Sequence, residues 1–210
     1  MMNNIFNANS NANSNANSTE INYKFNSSFI GLGNLGNTCY INSVIQCLKH
    51  NIEFSNYFLK ETYKEDINNT LHRFLCFEWY NLLKDLWSNK TNITVIPHKF
   101  LNVFRATCFK LKKTMFSGYS QNDAEECLNI LFDIFHEGLK SIHNSITITG
   151  TPKNINDQLQ LESYKIFANL VKKDGISPIT KYYGGQFISQ ITNSFNNKVS
   201  NTYDFFSYLN

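Results

Sequence analysis

Apolar positions recur along the chain first with a helical period and then with an extended one. Ile41, Val44, Ile45 and Leu48 follow i, i+3, i+4, i+7 spacing, which predicts a helix opening at about Thr38. Leu71, Phe74, Leu75, Leu82, Leu83 and Leu86 predict a second over 71–87. Pro97 suits a first helical position and opens a third that runs to about Cys108. Ala124, Leu128, Leu131, Phe132, Phe135 and Leu139 stripe a fourth over 121–140, and a weaker pattern gives a fifth over 156–172. The polar, β-branched stretch 141–155 fits neither period. After Gly184-Gly185 come runs rich in Ile, Phe, Tyr, Val and Thr at 186–193 and 199–209, read as strands joined by a turn at Asn196-Asn197. Helices first and strands after predict an α+β fold whose sheet opens at the end of the chain. A sheet usually has several strands, so the fold is expected to be unfinished at Asn210.

Composition separates one segment from this pattern. Residues 1–28 carry NANS units from Asn7 to Ser18, and small polar residues bury too little apolar surface to offset the entropy of ordering. They are expected to form a disordered leader before a partial folded domain over 29–210. The chain of 210 residues is 42% hydrophobic and 15% aromatic, enough for one core. Its net charge of +3 is mild, and only Lys110, Lys112 and Lys113 approach a basic run. That gives no ground for nucleic-acid or membrane partners. No apolar run approaches the roughly 18 residues of a membrane helix, and no secretory leader pattern is present. The five cysteines, Cys39, Cys47, Cys76, Cys108 and Cys127, are odd in number and form no CxxC pair. Neither a disulfide framework nor a closed zinc site is expected, and free thiols suit the cytosol or nucleus.

Two segments carry candidate chemistry. From Gly31 to Leu48, three glycines precede Cys39, which opens the first predicted helix. The thiolate is the attacking form of cysteine, and a helix N-terminus carries roughly half a positive charge that favours it. Unpaired backbone N–H groups there can also receive an oxyanion. The plainer reading of a cysteine is a small core residue, and Cys47, Cys76 and Cys108 are expected to serve in packing. From Gln121 to Leu128 the chain opens the fourth predicted helix. Read alone, Ser120 followed by Asp123 is an N-cap signature, with Asp123 serving the helix terminus.

Together these segments resemble the ubiquitin-specific cysteine protease family. The first matches its cysteine box, GLxNLGNTCYMNSxLQxL, almost continuously over residues 31–48, with Ile41 in place of the usual Met. The second resembles its QQDAxEFL box, with Asn122 for the second Gln and Cys127 for Phe. The resemblance implies a papain-like fold with a thumb of helices and the start of a fingers and palm sheet. It implies Cys39 as nucleophile and Asn34 as an oxyanion-holding side chain, a kind of donor whose loss commonly costs ~10²–10³ in rate. Gln121 and Asp123 become candidate contacts for the ubiquitin tail, Asp123 through an arginine.

Tyr183 to Ile191 resembles the family's FxGxxxSxI segment, which leads into the fingers. The family often places a zinc-binding CxxC there; Thr192 and Phe195 stand at those positions, so no metal and no cofactor is expected. Residues 200–209 resemble the following strand. The family's general base is a histidine in a downstream GHY-type box. None of His50, His72, His98, His136 and His143 has that context. His50 is roughly three helical turns from Cys39 at ~1.5 Å per residue, and His136 is expected at a surface or partly packed position. The resemblance covers 29–209, about the first half of a catalytic domain. The function implied is a deubiquitinase, a ubiquitin carboxyl-terminal hydrolase cleaving after the ubiquitin C-terminal glycine, with ubiquitin and ubiquitinated proteins as partners. The alternatives are a catalytically inactive ubiquitin-binding module and an unfolded relic.

Overall fold

A computed structural model describes residues 30–88, 94–141 and 151–206; the predicted leader and His143 lie outside them. The described elements are β1 (Gly31–Leu32), α1 (Cys39–His50), α2 (Ile52–Leu59), α3 (Tyr63–Asp66), α4 (Arg73–Leu86), β2 (Thr94–Val95) and α5 (His98–Lys110). A 3₁₀ turn at Thr114–Phe116 follows, then α6 (Ala124–Leu139), α7 (Ile155–Asp174), α8 (Pro178–Tyr182), β3 (Gly185–Thr192) and β4 (Val199–Phe206). Apart from the two-residue strands β1 and β2, the helices come first and the β3–β4 hairpin follows, as read from the sequence, and the fold is α+β.

The core is where α1, α2, α4, α5 and α6 meet. Ile41, Ile45 and Leu48 of α1 and Leu131, Ile134 and Phe135 of α6 are buried there. At its centre the Trp79 ring of α4 lies 5.7 Å from Phe135, 5.8 Å from Phe100 and 6.1 Å from Phe54, centroid to centroid. Tilted and edge-on aromatic contacts of this kind add to the area they bury. Lys49 is also buried, its Nζ donating to Gln46 Oε1 at 3.3 Å and lying 5.5 Å from the Trp87 ring centroid. Desolvation lowers its pKa.

Several boundaries follow from local caps. Asn51 ends α1 and at once caps α2, its side chain accepting from Phe54 N–H at 3.0 Å. Ser177 caps α8, with Pro178 in its first turn. Asn154 caps α7, which stops at Gly175 in the left-handed region, φ 89°. The short helices α2, α3 and α8 and the parallel pairing of β1 with β2 were not expected from the sequence. Elements of two to eight residues are too short for a periodic signal.

At the far end, β3 and β4 form an antiparallel hairpin with Ser189 opposite Thr202. Asn197 takes a left-handed conformation, φ 54°, in the turn, as Asn tolerates. Side chains alternate across the hairpin. Helix α7 covers the face of Gln186, Tyr203 and Phe205: the Tyr203 hydroxyl donates to Glu162 at 2.7 Å, Ser163 donates to Gln186, and Phe167 lies 6.1 Å from Phe205. On the other face Phe187 stacks on Phe206 at 4.3 Å.

The structure corrects three expectations. Phe74 is half exposed, because α4 turns Leu75, Cys76, Trp79, Leu82 and Leu83 inward and Phe74 falls off that face. Cys47 is exposed rather than packed, lying away from the Ile41–Val44–Ile45–Leu48 stripe. The fourth predicted helix begins at Ala124 rather than 121, since Asp123 is extended (ψ 136°) and acts as the cap itself. Ser120 does not cap it. Cys76 and Cys108 are buried as expected.

Candidate active site

The loop from Gly33 to Cys39 is folded around one side chain. Asn34 Oδ1 accepts from Gly36 N–H at 3.1 Å, from Thr38 N–H at 3.2 Å and from the Thr38 hydroxyl at 2.9 Å. Two of those donors are backbone N–H groups, so the accepting atom is the amide oxygen. The Nδ2 donors of the exposed Asn34 are thereby left on the other branch of the amide. Gly36 and Asn37 are both left-handed, φ 81° and 52°, and reverse the chain into α1. At Gly36 that conformation favours glycine; Asn is among the few other residues that adopt it readily.

Thr38 faces inward. Its hydroxyl accepts from Leu35 N–H at 3.0 Å and donates to Asn34, and the residue is buried. The hydroxyl therefore does not cap α1, although Thr38 stands at the cap position. No acidic residue lies in the first turn of this helix. The first intrahelical bond is Asn42 N–H to Thr38 O at 2.9 Å, which leaves the N–H groups of Cys39, Tyr40 and Ile41 ahead of the helical ladder. Cys39 is the first residue of α1 and is exposed. An exposed thiol thus sits at a helix N-terminus that keeps its positive partial charge and its free donors, an arrangement that binds anions.

Two anchors hold this loop from behind. Gly33 N–H donates to Val95 O at 2.9 Å, beside the β1–β2 pair, and Asn42 Nδ2 donates to Gly33 O at 3.2 Å. A Cβ on Gly33 would push against the end of the Ile96 side chain, which would have to move aside.

The second segment packs against the first. Asn37 Nδ2 donates to Tyr119 O at 3.2 Å. Asn122 donates from Nδ2 to Ser120 O at 3.0 Å. Burial raises the pKa of Tyr40, partly offset by the nearby Asn122 side chain. The Arg105 guanidinium lies over the exposed Tyr119 ring at 4.2 Å. Asp123 caps α6 by accepting from Glu126 N–H at 3.0 Å and remains exposed, as does Gln121. The loop of Cys39 and Asn34 is thus joined to the 119–123 segment, while no hydrogen bond among the described residues runs directly from Cys39 or Asn34 to Gln121 or Asp123. Asn37, Tyr119 and Asn122 were not singled out as site residues in the sequence. The Gly36-Asn37 pair, two residues tolerant of left-handed backbone before a helix, was the available signal.

The other candidate groups sit elsewhere. Burial pushes the thiols of Cys76 and Cys108 up to about 12, and that of Cys127 is raised further for the same reason. His50 ends α1, its Nδ1 2.6 Å from Gln46 O. His72 lies 3.2 Å from the Thr70 hydroxyl, and His98 opens α5. His136 is partly packed as expected, with Nδ1 2.9 Å from Ser177 Oγ and Nε2 3.3 Å from Asp174. Ligand atoms of His136, Glu137 and Asp174 lie within 4.8 Å of one another, and Lys140 Nζ sits among them, 2.7 Å from Glu137 and 3.2 Å from Asp174. A side-chain ammonium already neutralises those carboxylates.

The family model for ubiquitin carboxyl-terminal hydrolases matches residues 30–204. Over 185 residues the chain is 35% identical to ubiquitin carboxyl-terminal hydrolase 9 of Arabidopsis thaliana, covering 85% of this chain and 19% of that protein. It is 34% identical over 188 residues to ubiquitin carboxyl-terminal hydrolase 15 of Rattus norvegicus, covering 85% of this chain and 18% of that one. It therefore spans about a fifth of the length of these relatives. Among solved structures it superposes on the SAGA Ubp8/Sgf11/Sus1/Sgf73 DUB module bound to ubiquitin aldehyde with a TM-score of 0.57 at 18% identity, covering 86% of this chain and 34% of that one. The same fold, and a cysteine-bearing loop matched within 30–204, establish that this chain belongs to the ubiquitin carboxyl-terminal hydrolase family, in its ubiquitin-specific cysteine protease branch.

Proposed function

We propose that this chain carries the nucleophile half of a thiol-dependent deubiquitinase acting on ubiquitin and ubiquitinated proteins. One observation carries the reading: Cys39 is exposed at the uncapped N-terminus of α1, beside an Asn34 whose amide is held oxygen-inward. Cys39 thiolate attacks the carbonyl carbon of the ubiquitin C-terminal glycine. The carbonyl π pair moves to oxygen, and the oxyanion is held by Asn34 Nδ2 and the N–H groups at the start of α1. Collapse expels the amine, which takes a proton, and leaves a thioester on Cys39; water then releases ubiquitin and restores the thiol. We assign the base that handles these protons to none of His50, His72, His98 and His136, which lie in other parts of the fold.

Gln121 and Asp123 are proposed to meet the ubiquitin tail from the exposed start of α6, Asp123 by pairing an arginine. The five cysteines are free thiols, which suits the cytosol or nucleus. Among the described residues no helix is long and apolar enough to cross a membrane.

The test is hydrolysis of ubiquitin bearing a C-terminal amide-linked fluorophore. The expected result is release that disappears in Cys39→Ala. Ubiquitin binding without release from the full-length protein would replace this reading by the inactive binding module.

A further inference from the structure

We propose that Asn37 is a positioning residue for Cys39, acting through a clamp on the carbonyl of Tyr119; this rests on the reading of Cys39 as nucleophile. Asn37 is two residues before Cys39 and is the non-glycine residue of the loop's left-handed pair, φ 52°. Asn adopts left-handed backbone at little cost, so the turn itself needs no outside support. What comes from outside the loop is a fixed point for the Asn37 side chain. Asn37 Nδ2 donates 3.2 Å to Tyr119 O, across 82 residues of sequence.

The acceptor is itself braced. Tyr119 is 71% exposed, and Arg105 of α5 lies over one face of its ring at 4.2 Å. Three residues on, Asn122 holds Ser120 O at 3.0 Å, with its side chain near the hydroxyl of Tyr40, the residue after Cys39. Of the residues flanking Cys39, Asn37 is the one hydrogen-bonded to this segment among the described residues. Asn34 organises the loop from within, and Asn37 fixes it against the second segment. Without Asn37 the loop keeps its internal turn and its anchors at Gly33 but loses its hydrogen bond to the 119–123 segment. The direction of the first α1 N–H groups relative to the thiol then varies.

The role is separable from backbone preference. Asn37→Gly relieves the left-handed conformation and removes the donor. Asn37→Asp tolerates that conformation but turns a carboxylate toward a carbonyl. The readout is the reaction of the full chain, carrying Cys47→Ala, with ubiquitin whose C-terminal carboxylate is replaced by an electrophile. A clamp predicts that both variants lower the maximal inactivation rate roughly three- to tenfold, Asp more than Gly, with the half-saturating concentration unchanged. A merely structural role would lower the folded fraction and leave the rate per folded molecule intact, so both are measured alongside thermal melting. Wild-type rates in Asn37→Gly would overturn the clamp. If the wild-type chain is inert to the ubiquitin electrophile yet alkylated at Cys39 by chloroacetamide, the proposed function fails on its own. The clamp is then judged on the chloroacetamide rate: a several-fold loss in Asn37→Gly supports it, and an equal rate overturns it.

Discussion

The N-termini of α1 and α6 lie side by side and are finished in opposite ways. Helix α6 has a side-chain cap, Asp123 on Glu126 N–H, and acidic residues at Glu125 and Glu126 in its first turn. Helix α1 has neither, and its cap-position residue, Thr38, turns its hydroxyl away to Asn34. A capped, acid-rich start is the arrangement that stabilises a helix. An uncapped start forgoes about 0.5–2 kcal/mol of that stabilisation and keeps free donors and positive partial charge instead. The difference teaches which terminus is built for the fold and which is available for chemistry. The exposed cysteine is at the second.

Substitutions can break this contrast. The largest effect is expected at Asn34. Asn34→Asp keeps an oxygen for Gly36 and Thr38 but replaces the Nδ2 donors, so turnover of a ubiquitin amide should fall ~10²–10³, as for loss of an oxyanion donor. A melting temperature close to wild type would show that the loop survives. A turnover drop of less than threefold would remove Asn34 from the oxyanion site.

Next in size is the cap of α6. Asp123→Ala should cost about 1 kcal/mol of stability, read as a melting temperature lower by roughly 2–4 °C for a chain of this size. Asp123→Ser should restore most of that stability while leaving ubiquitin affinity weakened, because serine caps but carries no charge for an arginine. Full recovery of both would reduce Asp123 to a cap.

A pH dependence probes the buried side of the same comparison. The buried thiols of Cys76 and Cys108 are held up to about 12, above the ordinary cysteine value near 8.5. Raised folded values mean that the unfolded chain gives up these protons first. Their stabilising contribution is complete below pH ~8.5 and is lost as pH rises toward 12. Thermal melts from pH 8 to 11 should show falling stability, flatter in Cys108→Ala once its own cavity cost is subtracted. A pH-independent midpoint would contradict the burial of these thiols.

Much of this molecule was legible from residue order. The stripes of α1, α4 and α6 run over twelve residues or more, and periodicity over such lengths survives tertiary context; α5 was marked by Pro97 and the hairpin by its β-rich runs and Asn196-Asn197 turn. Phe74 and Cys47 misled because membership of a face depends on the phase of a helix against its neighbours, which a few apolar positions fix only to within one residue. The site was half legible. Cys39, Asn34, Gln121 and Asp123 stood out by family resemblance. The Asn37–Tyr119 and Tyr40–Asn122 contacts did not, because they join positions 82 residues apart, where local sequence carries no distance information.

The most direct test of the contrast between the two helix starts is to treat the full-length protein at neutral pH with ubiquitin bearing a C-terminal electrophile and to locate the adduct by peptide mapping. Cys39 and Cys47 are both exposed and both on α1, but only Cys39 sits at its uncapped N-terminus. One ubiquitin on Cys39 and none on Cys47 is the expected result. No adduct at Cys39, or an adduct at Cys47 instead, would contradict it.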